Sequence, residues 1–203
     1  MEENEVVMEE AVKKSPAKGI IIGMIVLVAI ILAIVGIVNA AKPTPEKTVK
    51  NFLKAVDGKK AEKIIDNMDF IGWFALASLD EDEYEEFADT YKEYKEDVDD
   101  NEDDYKDMLD EAKENLDDMF EDVDKLNIEV KDMKKAKKVK NAKNLFKVTA
   151  KVKVEYKEED DDKPDRDTST YDFYVYKKSG KYYIVGIDVQ KGDGLLVKAL
   201  DLD

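Results

Sequence analysis

Apolar positions follow three regimes along the chain. The first is unbroken. From Gly19 to Ala41, GIIIGMIVLVAIILAIVGIVNAA, no residue is charged. A bilayer core of ~30 Å needs about 20 apolar residues at ~1.5 Å rise each, so this run predicts a transmembrane helix. It shows no polar stripe such as a half-buried helix of a globular domain carries. Lys13, Lys14 and Lys18 crowd its N-terminal edge and Lys42 stands alone against the other. That bias predicts a cytoplasmic tail over 1–18 and an extracytoplasmic domain over 42–203. A cleaved signal peptide is the competing reading, because Val38-Asn39-Ala40 places small or modest residues before Ala41. The run is nevertheless longer than the usual signal core of about 7–15 residues.

The second regime has helical spacing. Thr44-Pro45 is a helix start, a hydroxyl cap followed by proline at the first helical position. Val49, Phe52, Leu53 and Val56 then recur at i, i+3, i+4 and i+7. Asp57-Gly58 is expected to end this helix, with the glycine free to turn left-handed. Ala61, Ile64, Ile65 and Met68 predict a second short helix, and FIGWFALASL (70–79), apolar nearly all round, a buried one. Over 80–124 apolar residues persist three and four apart, from Tyr84 to Val123, within a strongly acidic background. This is a helical insert, one long helix or a hairpin. Asp99 to Asp104, with no apolar member, is the natural joint.

The third regime has period two. Phe146, Val148, Ala150, Val152, Val154 and Tyr156 alternate with polar residues, a strand with one buried face. A strand is expected before it, from Ile128 to about Val139. Others follow over Ser169–Lys178 and Lys181–Val189, joined by a tight turn at Ser179-Gly180. The apolar end, Leu195 to Asp203, carries no readable period. Helices first and strands later predict an α+β class, with N-terminal helices packed on one face of an antiparallel sheet of about four strands.

Composition narrows the chemistry. The 203 residues carry a formal charge of −16, which disfavours nucleic acid as a partner. The insert holds 24 acidic residues and four lysines, whereas 125–153 holds eleven lysines against Glu129 and Asp132. Cysteine is absent, which removes disulfides and thiolate sites. Histidine is absent too, which removes the commonest general base and metal ligand. Arg166 is the single arginine, and such a lysine skew fits a low-GC bacterium.

The stretch TPEKTVKNFLKAVDGKKAEKIIDNM, with KSGKYYIVGI near the end, resembles the nuclear-transport-factor-two-like superfamily, the cone fold of the ketosteroid isomerases. The similarity covers most of 44–190, with 80–124 as an enlarged insert. It is closest to small membrane-anchored extracytoplasmic bacterial members of unknown function. The resemblance implies a curved sheet wrapped on N-terminal helices around a conical pocket. It implies no activity by itself. The isomerases place a tyrosine oxyanion donor in the first helix, and the matching position here is Phe52, which cannot donate. Catalytic relatives that use His with Asp have no counterpart in a chain without histidine.

The candidate pocket residues are Phe52, Trp73, Phe74, Tyr171 and Phe173, which would line a ligand cavity or pack as core. Asp172 and Asp188 are strand carboxylates expected to point outward. Asp99, Asn101, Asp103, Asp107 and Asp110 fall at positions 1, 3, 5, 9 and 12 of a calcium-loop count. However, Asp104 stands where that loop needs glycine, and Asp110 where it needs a bidentate glutamate. No metal site, cofactor or catalytic residue is assigned. The expected function is a single-pass membrane module presenting a binding or assembly domain outside the cell. A small-molecule or peptide binder, or a tethered isomerase- or hydratase-like enzyme, are the alternatives. The expected partners are the membrane through one helix and a protein or small ligand outside.

Overall fold

The computed structural model describes residues 42–159 and 162–200. The apolar run 19–41 and the tail 1–18 lie outside them. Among the described residues no helix is long and apolar enough to cross a membrane. Pro43–Asp203 forms one compact unit. It is α+β, with helices packed on an antiparallel sheet.

Helix α1 (Pro45–Asp57) begins as the sequence dictates: Lys47 N–H donates to the Thr44 hydroxyl at 3.2 Å, and Pro45 fills the first turn. Val49, Phe52, Leu53 and Val56 form its buried stripe. Its end differs from the expectation at Gly58, which keeps φ −88°. The left-handed residue is Lys59, at φ 49°. Two bonds explain the shift: Lys59 N–H donates to Val56 and Lys60 N–H to Ala55, so the reversal falls one residue later. Lys59 is held there by its ammonium group, which donates to the Val123 carbonyl.

After α2 (Ala61–Asp66) the chain makes a one-residue parallel bridge, Met68 to Ile184. Asp69 then caps α3 (Phe70–Ala77), accepting from Gly72 N–H at 3.3 Å. The insert is a 3-10 turn (Glu81–Glu86) followed by two helices, α4 (Phe87–Asp100) and α5 (Glu102–Glu121), with the break at Asn101 within the expected joint.

The strands are β1 (Val123–Met133), β2 (Lys137–Lys138), β3 (Leu145–Glu158), β4 (Asp165–Lys178) and β5 (Lys181–Lys191). The segment read as one strand from Ile128 is thus two, both paired to β3, and the sheet order is β1-β3-β4-β5. Ser179 and Gly180 both take positive φ, 50° and 80°, the mirror-image turn that suits a two-residue hairpin. The unassigned apolar end contains a short helix, α6 (Leu195–Lys198).

Strand β4 separates two apolar clusters. Tyr171, Phe173 and Val175 join α1, α2, Phe120 and the α6 region in the larger one. Tyr174, between them in sequence, belongs to a second cluster with Ile71, Ala75, Leu76, Phe87, Tyr91, Leu145 and Val185. Because strand side chains alternate, the second cluster lies on the opposite face. Helices therefore cover both faces here, not one. In β5, alternation buries Ile184 on the first face and Val185 on the second, and a bulge between Ile184 and Gly186 shifts the register with β4.

Both sheet edges are managed. On β1 and β2, Ile128 N–H donates to Asp57 at 2.7 Å and Ala136 N–H to Glu46 at 2.8 Å, so α1 side chains satisfy edge donors. On β5, Asn67 and Asp69 pair with both backbone groups of Ile184 at 2.8 and 3.0 Å.

Close approach of α3 to β5 depends on Gly72. A Cβ there would stand 2.4 Å from Val185 Cγ1. Gly72→Ala is expected to destabilise the domain by about 1–3 kcal/mol through overpacking. Urea unfolding of the two proteins checks this, and equal midpoints would contradict the close contact.

Candidate functional site

The sequence-selected aromatics do not gather around an open space. Phe52, Tyr171 and Phe173 are fully buried, with Phe52 meeting Phe173 edge to face at 6.3 Å between centroids. Trp73 is half-buried against the same cluster, and Phe74, on the outer side of α3, is 42% exposed. Leu195, Leu196, Val197 and Leu200 complete the cluster that holds Phe52, Tyr171 and Phe173. Leu196 is fully buried, and its N–H donates to the Tyr171 hydroxyl at 3.0 Å. Two residues earlier, Gly194 N–H donates to the buried Ser169 hydroxyl at 3.1 Å. Burial pushes the Tyr171 hydroxyl pKa up, so it stays protonated. Among the described residues every buried side-chain nitrogen or oxygen has a partner.

An open cleft of about 430 Å³ lies between α2 and α5. Ile64, Ile65 and Met68 form one wall. Ala112, Asn115, Leu116 and Met119, spaced as one stripe of α5, form the other. Phe70 and Leu200 close its sides, and Tyr156 and Glu158, at the end of β3, supply its polar rim. The Tyr156 hydroxyl donates to Glu158 at 2.8 Å. Such a lining can hold an apolar side chain or an alkyl group. It offers no nucleophile and no acid–base pair aimed at an enclosed space.

The carboxylates divide differently from the expectation. Asp172 faces away from the larger cluster, yet it is buried under the second. It accepts from the Thr149 hydroxyl at 2.5 Å and pairs with Lys147 at 3.0 Å. Asp188 lies on the same face, where desolvation and the nearby Glu81 and Asp172 raise its pKa. Asp69, buried at the start of α3, accepts from the Tyr91 hydroxyl at 2.9 Å and from Lys178 at 3.3 Å. This joins the insert, α3 and β4 through one carboxylate. Burial and the Asp69 charge push the Tyr91 hydroxyl pKa strongly up. Tyr105 packs against the same cluster, and burial raises its hydroxyl to about 12.

The calcium-loop reading fails on geometry. Asp103, Asp107 and Asp110 lie on the continuous helix α5, so no loop wraps an ion. Among the described residues no group of three or more acidic, histidine or cysteine side chains could hold a metal.

Sequence reasoning missed the cleft. Its α5 stripe was visible, but the facing residues of α2 come from a packing that periodicity does not encode. Compared with models of protein families, with curated proteins and with solved structures, the chain finds no match.

Glu155 is the sharpest ionic site. It accepts from Arg166 at 2.9 Å and from Lys125 at 2.7 Å, and these bonds pull its carboxyl down to about 2. A depressed folded pKa adds stability that is complete above the ordinary value of 4.5 and is lost as pH falls through about 2. Glu155→Gln should therefore be less stable than the parent at neutral pH, with the gap closing as pH falls through that window. Thermal unfolding across the range checks the sign, and a constant gap would contradict it.

Proposed function

We propose that this chain is a single-pass membrane protein and that residues 42–203 form a non-enzymatic binding or assembly module on the extracytoplasmic side. The span 19–41 would be the anchor and 1–18 the cytoplasmic tail. The uncharged 23-residue run supports the anchor, and the lysines on its N-terminal side support the orientation. Membership of the cone-fold superfamily is part of the same reading. It is supported by helices that precede an antiparallel meander and by a first helix packed on the sheet.

The observation that carries the non-enzymatic reading is the filled interior. Phe52, Tyr171 and Phe173 pack with the buried Leu196 in one cluster, so these aromatics line no open cavity. The accessible apolar surface is the α2–α5 cleft, a shape that suits side chains of a protein partner. The small-ligand and isomerase-like readings both need a cavity where the C-terminal segment packs.

Native mass spectrometry of the full chain, released from its own membranes in mild detergent, tests this. The expected result is a protein complex or self-assembly that the double change Leu116→Glu, Met119→Glu removes without loss of folding. Both side chains are only half-buried, so their cost to stability should stay near about 1 kcal/mol. A monomer carrying one reproducible small-molecule mass would overturn the reading.

A further inference from the structure

One end of the sheet gathers lysine from separate parts of the sequence. Three contacts define that end. The Thr48 hydroxyl donates to the Tyr182 carbonyl at 3.4 Å, Ala136 N–H to Glu46 at 2.8 Å, and Lys177 N–H to the Asn144 carbonyl at 2.9 Å. They bring β2, the start of β3 and the β4–β5 hairpin to the first turn of α1. The connection from β1 through β2 to β3 carries Lys134, Lys135, Lys137, Lys138, Lys140 and Lys143, all exposed. Lys177 and Lys181 flank the hairpin tip and are exposed as well. None of these eight forms a salt bridge among the described residues.

Asp132 stands exposed two residues before Lys134, and three other acids near this end are engaged. Glu46 is tied to Ala136 N–H, and Lys135 is the cation that acts on it. Asp69 is buried and holds Lys178. Glu85 receives the Asn141 amide at 3.1 Å and marks the border with the acidic insert. An overall charge of −16 would repel an anionic surface, but beyond a Debye length of about 8–10 Å most of that charge is screened. What an approaching surface meets is the local sign.

The sequence says which surface is near. Only residues 42–44 separate the apolar run from α1, and three residues reach at most about 11 Å. We infer that the lysine end docks on anionic phospholipid headgroups and seats the domain against the bilayer. This rests on the anchored reading above. The phosphates of neighbouring lipids are the matching ligands, and each lysine stem bridges to them from a strand end or turn. The consequence concerns the cleft. Its rim residue Tyr156 is ten positions along β3 from Phe146, roughly 30 Å at strand rise, so a seated domain holds the cleft away from the membrane.

The test uses the full chain reconstituted in phosphatidylcholine vesicles with or without phosphatidylglycerol. Amine acetylation is read lysine by lysine by mass spectrometry. The expected result is severalfold protection of Lys134 to Lys143, Lys177 and Lys181 in the phosphatidylglycerol vesicles alone, reversed by high salt. Lys92, Lys95, Lys106 and Lys113 of the insert should react equally in both. The combined change Lys134→Gln, Lys135→Gln, Lys137→Gln and Lys138→Gln should remove protection of Lys140 and Lys143 while the protein still floats with the vesicles. Equal acetylation in both lipids, with flotation intact, overturns the docking and leaves the anchor standing. Failure to float overturns the anchor and the docking together. Equal protection by soluble polyphosphate added to phosphatidylcholine vesicles overturns the assignment to lipid.

Discussion

Burial of β4 on both faces is the constraint from which the rest of the domain follows. Tyr171 to Val175 are consecutive, and all five are buried. A strand of this kind needs a neighbour on each side and a cover above and below. Its neighbours are β3 and β5. One cover is α1 with the C-terminal segment, where Tyr171 and Phe173 pack. The other is α3 with the start of the insert, where Tyr174 meets Tyr84 and Tyr176 meets Phe87 and Tyr91 at 4.9 to 5.4 Å between centroids. Asp172, caught between these covers, survives there because Thr149 and Lys147 satisfy it.

The same constraint explains two features with no regular period. Residues 192–200 are a lid to the larger cluster, and Leu195, Leu196, Val197 and Leu200 serve it from a short helix and its flanks. Gly192 makes the approach feasible, since its φ is +105° and a Cβ would stand 2.1 Å from the Ser169 hydroxyl oxygen. Ordinary alternation lets Ile184 and Val185 feed opposite clusters, and the bulge at Val185 then shifts the register so that Gly186 pairs with Tyr174. Asp69 then ties α3, the insert and β4 into one unit at a single buried carboxylate.

Local patterns were legible because local physics decides them. The stripe of α1, its Thr44 cap, the alternation of β3 and the Ser179-Gly180 turn all stand where the residues place them. The joint of the insert falls at Asn101, inside the run without apolar side chains. Non-local choices were not legible. YDFYVY reads as a strand, but its burial on both faces depends on covers that come from distant parts of the chain. Gly58 offered a left-handed residue that the hydrogen bonds passed to Lys59. Of the aromatic set, Phe52, Tyr171 and Phe173 share one cluster, whereas the cleft residues Ile65, Phe70, Leu116 and Met119 meet only through the packing of α5 on α2.

These features support a domain built to present surfaces: an apolar cleft at one end, a lysine-rich face at the other, and an interior closed by its own chain. In the proposed topology this domain stands outside the cell on a single span. The absence of native cysteine allows a direct measurement, labelling of single-cysteine variants in intact cells with a membrane-impermeant maleimide. Lys106→Cys, exposed on α5, is predicted to label in intact cells, and Lys14→Cys only after the cells are lysed. Labelling of Lys14→Cys with protection of Lys106→Cys would invert the topology. Recovery of the Lys106→Cys protein from the medium would contradict the anchor.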